Sequence, residues 1–272
     1  MAHALQDRWS ALIDEKLRAT LVTRDNYIFN NRYEGDPKAG KVKIPVRDTE
    51  VVVSAYSKAS GLALKEGTTT YLDLTLDNDK AVNEIIDGYD AAAVPDGIVA
   101  ERLDSAAYAL AADIDKACIT ELETKGTESD DDTAITAATA YSAVVALRTA
   151  QSKLFVPNEG RWLIVSPETY GLLLTDDNFI RQGDLSQELK ESGALGQIAG
   201  YAVYECARLS EDVEMIAGHP NWCHRVEEWS VPVAINNLTN TFIGASAVQG
   251  RKVYGIKISK PQTVIVKKKA SE

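Results

Sequence analysis

Two stretches of the chain alternate apolar and polar residues with a period of two. Val42, Ile44 and Val46 alternate with Lys41, Lys43 and Arg47, and Leu72, Leu74 and Leu76 alternate with Asp73, Thr75 and Asp77. The pattern predicts two half-buried strands. One polar face is basic and the other acidic, which suits pairing across a ladder. A lone hairpin is marginally stable in water, so this one is expected to lie on something else, and a neighbouring subunit is the expected support. Its tip, residues 56–70, has Leu62 and Leu64 as its apolar contacts, with Lys58 and Lys65 beside them.

Helical spacing marks three further regions. Residues 3–21 carry Leu5, Trp9, Leu12, Ile13, Leu17 and Leu21 three and four apart, one apolar stripe of a helix. An extended arm is expected over residues 22–40, which are rich in Asn and Gly. Pro95-Asp96-Gly97 opens a long helix whose apolar side is Val99, Leu103, Ala106, Leu110, Ile114, Ala117 and Ile119. With Gly126 as a left-handed stop, it spans about 27 residues, roughly 40 Å.

The remainder reads as an α/β body. A helix is predicted over residues 137–152, with Tyr141, Val144, Val145, Leu147 and Leu154 as buried candidates. A strand over 161–165 runs into the cap Ser166-Pro167 and a short helix. Strands follow over 201–206 and 213–217, a helix over 220–229, and three last strands near 242–248, 251–258 and 263–267.

Composition narrows the function classes. The 272 residues carry a formal net charge of −11, against the clustered cations that sequence-independent nucleic-acid binding requires. No run approaches the about 18 apolar residues of a membrane span. The three cysteines, Cys118, Cys206 and Cys223, are odd in number and widely spaced, as in a reduced protein where they are structural.

Candidate chemistry is sparse. Gly35 to Lys41 has the glycine and lysine spacing of a phosphate loop, but Val42 stands where Ser or Thr must hold magnesium, and a strand follows in place of a helix. His219 and Cys223 would share one helix face as a metal pair, yet packing of Pro220, Trp222 and Trp229 explains the segment more simply. Lys267-Lys268-Lys269 reads as a solvated strand end. No hydrolase, zinc-protease or dinucleotide fingerprint is present, and neither a cofactor nor a metal is expected.

In this order the elements resemble the tailed-phage major capsid proteins of the HK97-like fold. The resemblance is strongest at Arg161 to Leu173 (RWLIVSPETYGLL), continues through Leu195 to Val203, and returns at Lys252 to Ile258. It implies an α+β fold with an N-terminal arm (1–40) and an extended loop reaching over a neighbour (41–90). A peripheral domain would hold the spine helix and returning strands (91–125 and 241–272), and an α/β axial domain the rest (126–240). It also implies a non-enzymatic protein whose first partner is itself, as pentamers and hexamers of an icosahedral shell around double-stranded DNA. Further implied partners are a portal protein, a separate scaffolding or decoration protein, and packaged DNA held weakly, with no membrane. Assembly would take place in the host bacterial cytoplasm.

Some members carry a cleaved N-terminal scaffolding segment, for which this sequence leaves no room. Expected intersubunit contacts are Trp9, Leu12, Ile13, Leu17, Lys58, Leu62, Leu64 and Lys65, the N-terminal stripe packing on another chain or on the long helix. Some members crosslink a loop Lys to an Asn of the next subunit; Lys58 or Lys65 with Asn236, Asn237 or Asn240 would serve, though no motif singles them out. Two other readings are an encapsulin-type compartment shell and an enzyme or small-ligand binder. The latter needs a convergent polar site that the sequence does not show.

Overall fold

A 29-residue helix, α1 (Gly97–Lys125), runs past two separate sheets and contributes to the core of each. The computed structural model of the chain describes residues 18–33, 40–46, 50–64, 66–88, 97–176, 196–238 and 242–270. The predicted N-terminal helix, with Trp9, Leu12, Ile13 and Leu17, lies outside them, as do Lys65, Asn240 and most of the phosphate-loop-like segment. Strands β1 (Lys41–Val46) and β2 (Thr70–Thr75) form an antiparallel pair in which Lys43 faces Asp73 and Ile44 faces Leu72, as the alternation predicts.

The second sheet has three antiparallel strands in the order β3–β10–β9: β3 (Asn78–Ile86), β9 (Cys223–Asn237) and β10 (Ser246–Ile258). The third sheet has six strands in the order β4–β11–β8–β5–β7–β6. These are β4 (Thr127–Glu128), β5 (Trp162–Val165), β6 (Gln197–Ile198), β7 (Tyr201–Glu205), β8 (Val213–Gly218) and β11 (Ile265–Lys268).

Strand β5 shows why Trp162 to Val165 is an unbroken apolar run. Trp162 and Ile164 enter one core with Ile114, Cys118, Ile119 and Leu122 of α1 and with Tyr254 of β10. Leu163 and Val165 face the other way, into a second core with α2 (Ala140–Lys153) and α3 (Pro167–Thr175). A strand buried on both faces loses its polar alternation. Ser166 caps α3 as predicted, its hydroxyl accepting from the Thr169 N–H at 3.3 Å, with Pro167 in the first turn.

Several expectations are corrected. Residues 220–229 are not a helix. One 3-10 turn (Pro220–Trp222) leads into the 15-residue β9. Cys223 to Val226 are all buried, Cys223 in the core with α1 and Val226 under the β1–β2 pair, so no polar face is left to mark a strand. The last three strands are two. β10 runs through Gly250, which faces the β9 bulge at Pro232-Val233; a Cβ there would lie 2.7 Å from Val233 Cγ2. Gly126 has no left-handed φ; its Cβ would meet Leu122 O and Val266 Cγ2 at 2.6 Å, so close approach explains it. Val145 and Leu154 are exposed and Leu103 is only half-buried, whereas Leu110 and Ile114 are buried. Strand β3 had no sequence-based expectation of its own.

Residues 18–33 are not a free arm. Val22, Ile28 and Phe29 sit in the α1 core. Asn30 bridges to β9 beside His224, accepting from the Nδ1–H at 3.0 Å, while Ser259 Oγ donates to Nε2 at 3.0 Å. Tyr33 meets the imidazole edge-on at 4.9 Å. Burial, with help from Arg32, pushes the His224 pKa down to about 4. The unfolded imidazole protonates first, near 6.5, so this anchor contributes fully above that pH and is lost as pH falls towards 4. Melting temperature should therefore drop more steeply between pH 6.5 and 4 in the native chain than in His224→Asn. Parallel pH profiles would contradict this role.

Candidate assembly surfaces

The base of the β1–β2 pair is built into the chain's own body. Ile44 and Leu74 are buried against Val226 of β9, with Tyr33, Val42, Val46, Leu72 and Leu76 packed around them. Gly255 of β10 makes this contact sterically feasible: a Cβ there would sit 2.4 Å from Thr75 O and 2.7 Å from Leu74 Cδ2. Neighbouring Tyr254 points the opposite way, its hydroxyl donating to Asp113 of α1 at 3.2 Å. The sheet thus carries α1 on one face and the hairpin base on the other. This corrects the expectation that a neighbouring subunit must support the whole hairpin. Lys41 Nζ lies 3.2 Å from Asp73 Oδ2 across the ladder, both side chains about half exposed, so the pair contributes little.

Beyond the base the support ends. Residues 50–64 and 66–69 join no strand ladder, and their one isolated bridge, Ser57 to Gly61, closes a turn. The Gly61 N–H donates to Ser57 O at 2.8 Å. Lys58 is exposed on that turn. Leu62 and Leu64 are exposed, and so are Val51, Val52, Val53, Tyr56 and Tyr71, which sequence reasoning passed over although three consecutive valines were a visible signal. Burying each such side chain contributes about 1.5–3 kcal/mol.

The arm is tied to α1 through a buried carboxylate. Asp115 Oδ1 accepts from the Thr23 N–H and hydroxyl, each at 2.7 Å, and Oδ2 accepts from Arg208 Nη1 at 2.6 Å. Arg208 also donates to Tyr108 Oη at 2.8 Å, and Tyr108 donates to Ala19 O at 2.8 Å. From β9, Arg225 donates to the Thr23 and Arg24 carbonyls. Arm, helix, β9 and the turn after β7 meet at this point.

Groups that suggested chemistry are structurally engaged. His219 Nε2 donates to Glu159 O at 2.9 Å and its Nδ1 accepts from the Asn221 N–H; it shares no helix face with Cys223. Cys118, Cys206 and Cys223 are buried free thiols, and burial raises the pKa of each, Cys118 to about 12. Among the described residues no His, Cys, Asp and Glu cluster has a metal-binding arrangement. Nor is any of their helices long and apolar enough to cross a membrane. The lysine run is not simply solvated. Lys267 is buried and donates to Asp131 O, Lys268 pairs with Glu128 at 3.0 Å, and Lys269 pairs with Glu168 at 3.3 Å. Asn236 and Asn237 hydrogen-bond to Gln249 and Ser246 within the sheet.

Phe155 is a feature the sequence reading missed. It stands just past α2, where its N–H donates to Ser152 O and the Val156 N–H donates to Gln151 O. That is a helix stop normally filled by Gly. Phe155 adopts φ 57 and is 93% exposed, a backbone state that costs a bulky residue about 1–2 kcal/mol.

The sequence matches the family model described as phage capsid protein over residues 81–266. No curated protein sequence matches it. Among solved structures it is similar to one from Mycobacterium phage Che8, with TM-score 0.81 and 22% identity, covering 97% of this chain and 96% of that one. The capsid structure of the cyanophage P-SCSP1u gives TM-score 0.81 at 13% identity, covering 98% and 93%. The capsid of an empty GTA particle computed with C5 symmetry gives TM-score 0.69 at 16% identity, covering 96% and 100%.

Gly255→Ala tests the hairpin anchor. The added methyl must push Thr75 and Leu74 away, so the denaturation midpoint should fall by the equivalent of about 1–3 kcal/mol, as for an overpacked core. An unchanged midpoint would show that the hairpin base is not fixed there.

Proposed function

This chain belongs to the phage capsid protein family and carries the HK97-like capsid fold, and from that premise we propose how it builds a shell. Identical copies tile a closed icosahedral particle as pentamers and hexamers around double-stranded DNA. The observation that carries the reading is the split in the hairpin. Its base is buried on its own sheet, while its distal half exposes Val51 to Val53, Leu62 and Leu64 to solvent. A second copy supplies the missing cover, with Lys58, Leu62, Leu64 and Lys65 among the contacts. The N-terminal stripe of Trp9, Leu12, Ile13 and Leu17 adds a further intersubunit contact.

The role is structural and not catalytic. The portions 1–40, 41–90, 91–125 with 241–272, and 126–240 act as arm, extended loop, peripheral domain and axial domain, except that β3 and β9 join β10 in the peripheral sheet and β11 joins the six-stranded axial sheet. A portal protein and a separate scaffolding or decoration protein complete the particle, which forms in the cytoplasm of a host bacterium. The net charge of −11 and the internally paired Lys267 to Lys269 suit a container that touches its genome weakly and releases it.

Purified protein, with scaffold supplied where needed, should sediment as rings or closed particles visible by negative-stain microscopy. A 29.6 kDa monomer at every concentration and salt would overturn the proposal.

A further inference from the structure

The turn that carries Phe155 is tied down on both sides by hydrogen bonds. The buried Arg161 guanidinium donates to Pro157 O at 2.8 Å, to Val156 O at 2.6 Å and to Ser152 Oγ at 3.2 Å, pinning the residues on both sides of Phe155. The ring gains almost no burial from its own chain and occupies a backbone state better suited to Gly. Backbone strain kept beside an exposed aromatic points to a contact made outside the subunit. Lys153 and Leu154 are exposed next to it, and among the described residues Lys153 has no ion-pair partner.

A fitting counterpart lies elsewhere on the same chain. Between the arm and β7 is a groove of about 570 Å³ lined by Ala19, Asp25, Tyr27, Val203, Tyr204 and Glu205. Tyr27 is largely exposed. Asp25 and Tyr27 both stand close enough to the Tyr204 hydroxyl to help raise its pKa, behind burial. The groove therefore offers two aromatic rings and two carboxylates. Arg18, which also borders it, is paired with Asp104. Among the described residues Glu205 has no ion-pair partner.

Resting on the shell reading above, we infer that Lys153 to Phe155 of one copy dock in the arm–β7 groove of a second copy. The Phe155 ring seats between Tyr27 and Tyr204, and the Lys153 ammonium meets Glu205 and Asp25. Knob and groove are different surfaces of one chain, so the contact is heterologous and propagates around a ring until it closes.

Phe155→Gly separates this role from a purely local one. Removing the side chain relieves the backbone strain, so the free subunit should melt no lower than the native chain. Its threshold concentration for assembly should rise about tenfold or more. Assembly at the native threshold would overturn the contact. A double variant, Phe155→Cys with Tyr27→Cys, reads the geometry directly. Oxidised in assembled rings or particles, it should give a ladder of crosslinked species on denaturing gels, while a mixture of the two single variants should stop at dimers. Particles that form without a ladder overturn the docking but leave the shell reading intact. A native chain that forms neither rings nor particles overturns the shell reading, and this contact with it.

Discussion

The absence of a side chain at Gly255 fixes where the extended hairpin starts and where it points. With no Cβ on β10 at that position, Thr75 and Leu74 settle against the sheet, and Leu74 closes with Ile44 over Val226. A two-stranded ribbon has little stability of its own, so its direction is set wherever it is held. Here that is the face of the three-stranded sheet opposite α1. Because the anchor takes the inward residues of β1 and β2, the distal half receives no cover from the body. The exposed valines and leucines beyond the anchor are the consequence, and in the proposed shell they are what a second copy covers.

The rest of the chain makes that anchor stiff. Helix α1 is shared by two cores, one against β3 and β10 and one against the six-stranded sheet. The arm is pinned to it by Asp115, whose two oxygens are satisfied by Thr23 and Arg208. A buried carboxylate is tolerated only when its partners are all in place, so arm, helix and sheets are fixed together. His224 repeats the arrangement nearer the hairpin, holding Asn30 to β9. The distal loop thus extends from a frame whose arm, helix and sheets are joined by buried contacts.

The hairpin was legible in the sequence because each strand keeps one polar face, and α1 because its apolar stripe persists. Trp162 to Val165 was legible from its unbroken apolar run and the Ser-Pro cap. Strand β9 was not, because Cys223 to Val226 are covered on both sides and the period of two vanishes. Strand β3 shows its pattern faintly: Ile86 is buried and Val82 packs beside it, among polar neighbours. Gly250 resembled a break in the sequence and is a close-approach position within one strand. Of the exposed apolar residues on the distal loop, Leu62 and Leu64 stood out in the sequence from their polar setting. The hairpin anchor was not, because it joins residues about 180 positions apart. Phe155 escaped because exposed residues leave no periodic mark; its one signal is an aromatic where a helix stop favours Gly.

In the proposed shell a second copy of the chain covers the hairpin beyond its base. Amide hydrogen exchange, compared between free subunits and assembled particles, tests it most directly. Peptides from residues 50–64 should exchange rapidly in the free subunit and become strongly protected in particles, while peptides from β10 stay protected in both. Equal exchange of residues 50–64 in the two states would contradict the account, because the loop would then contact no neighbour.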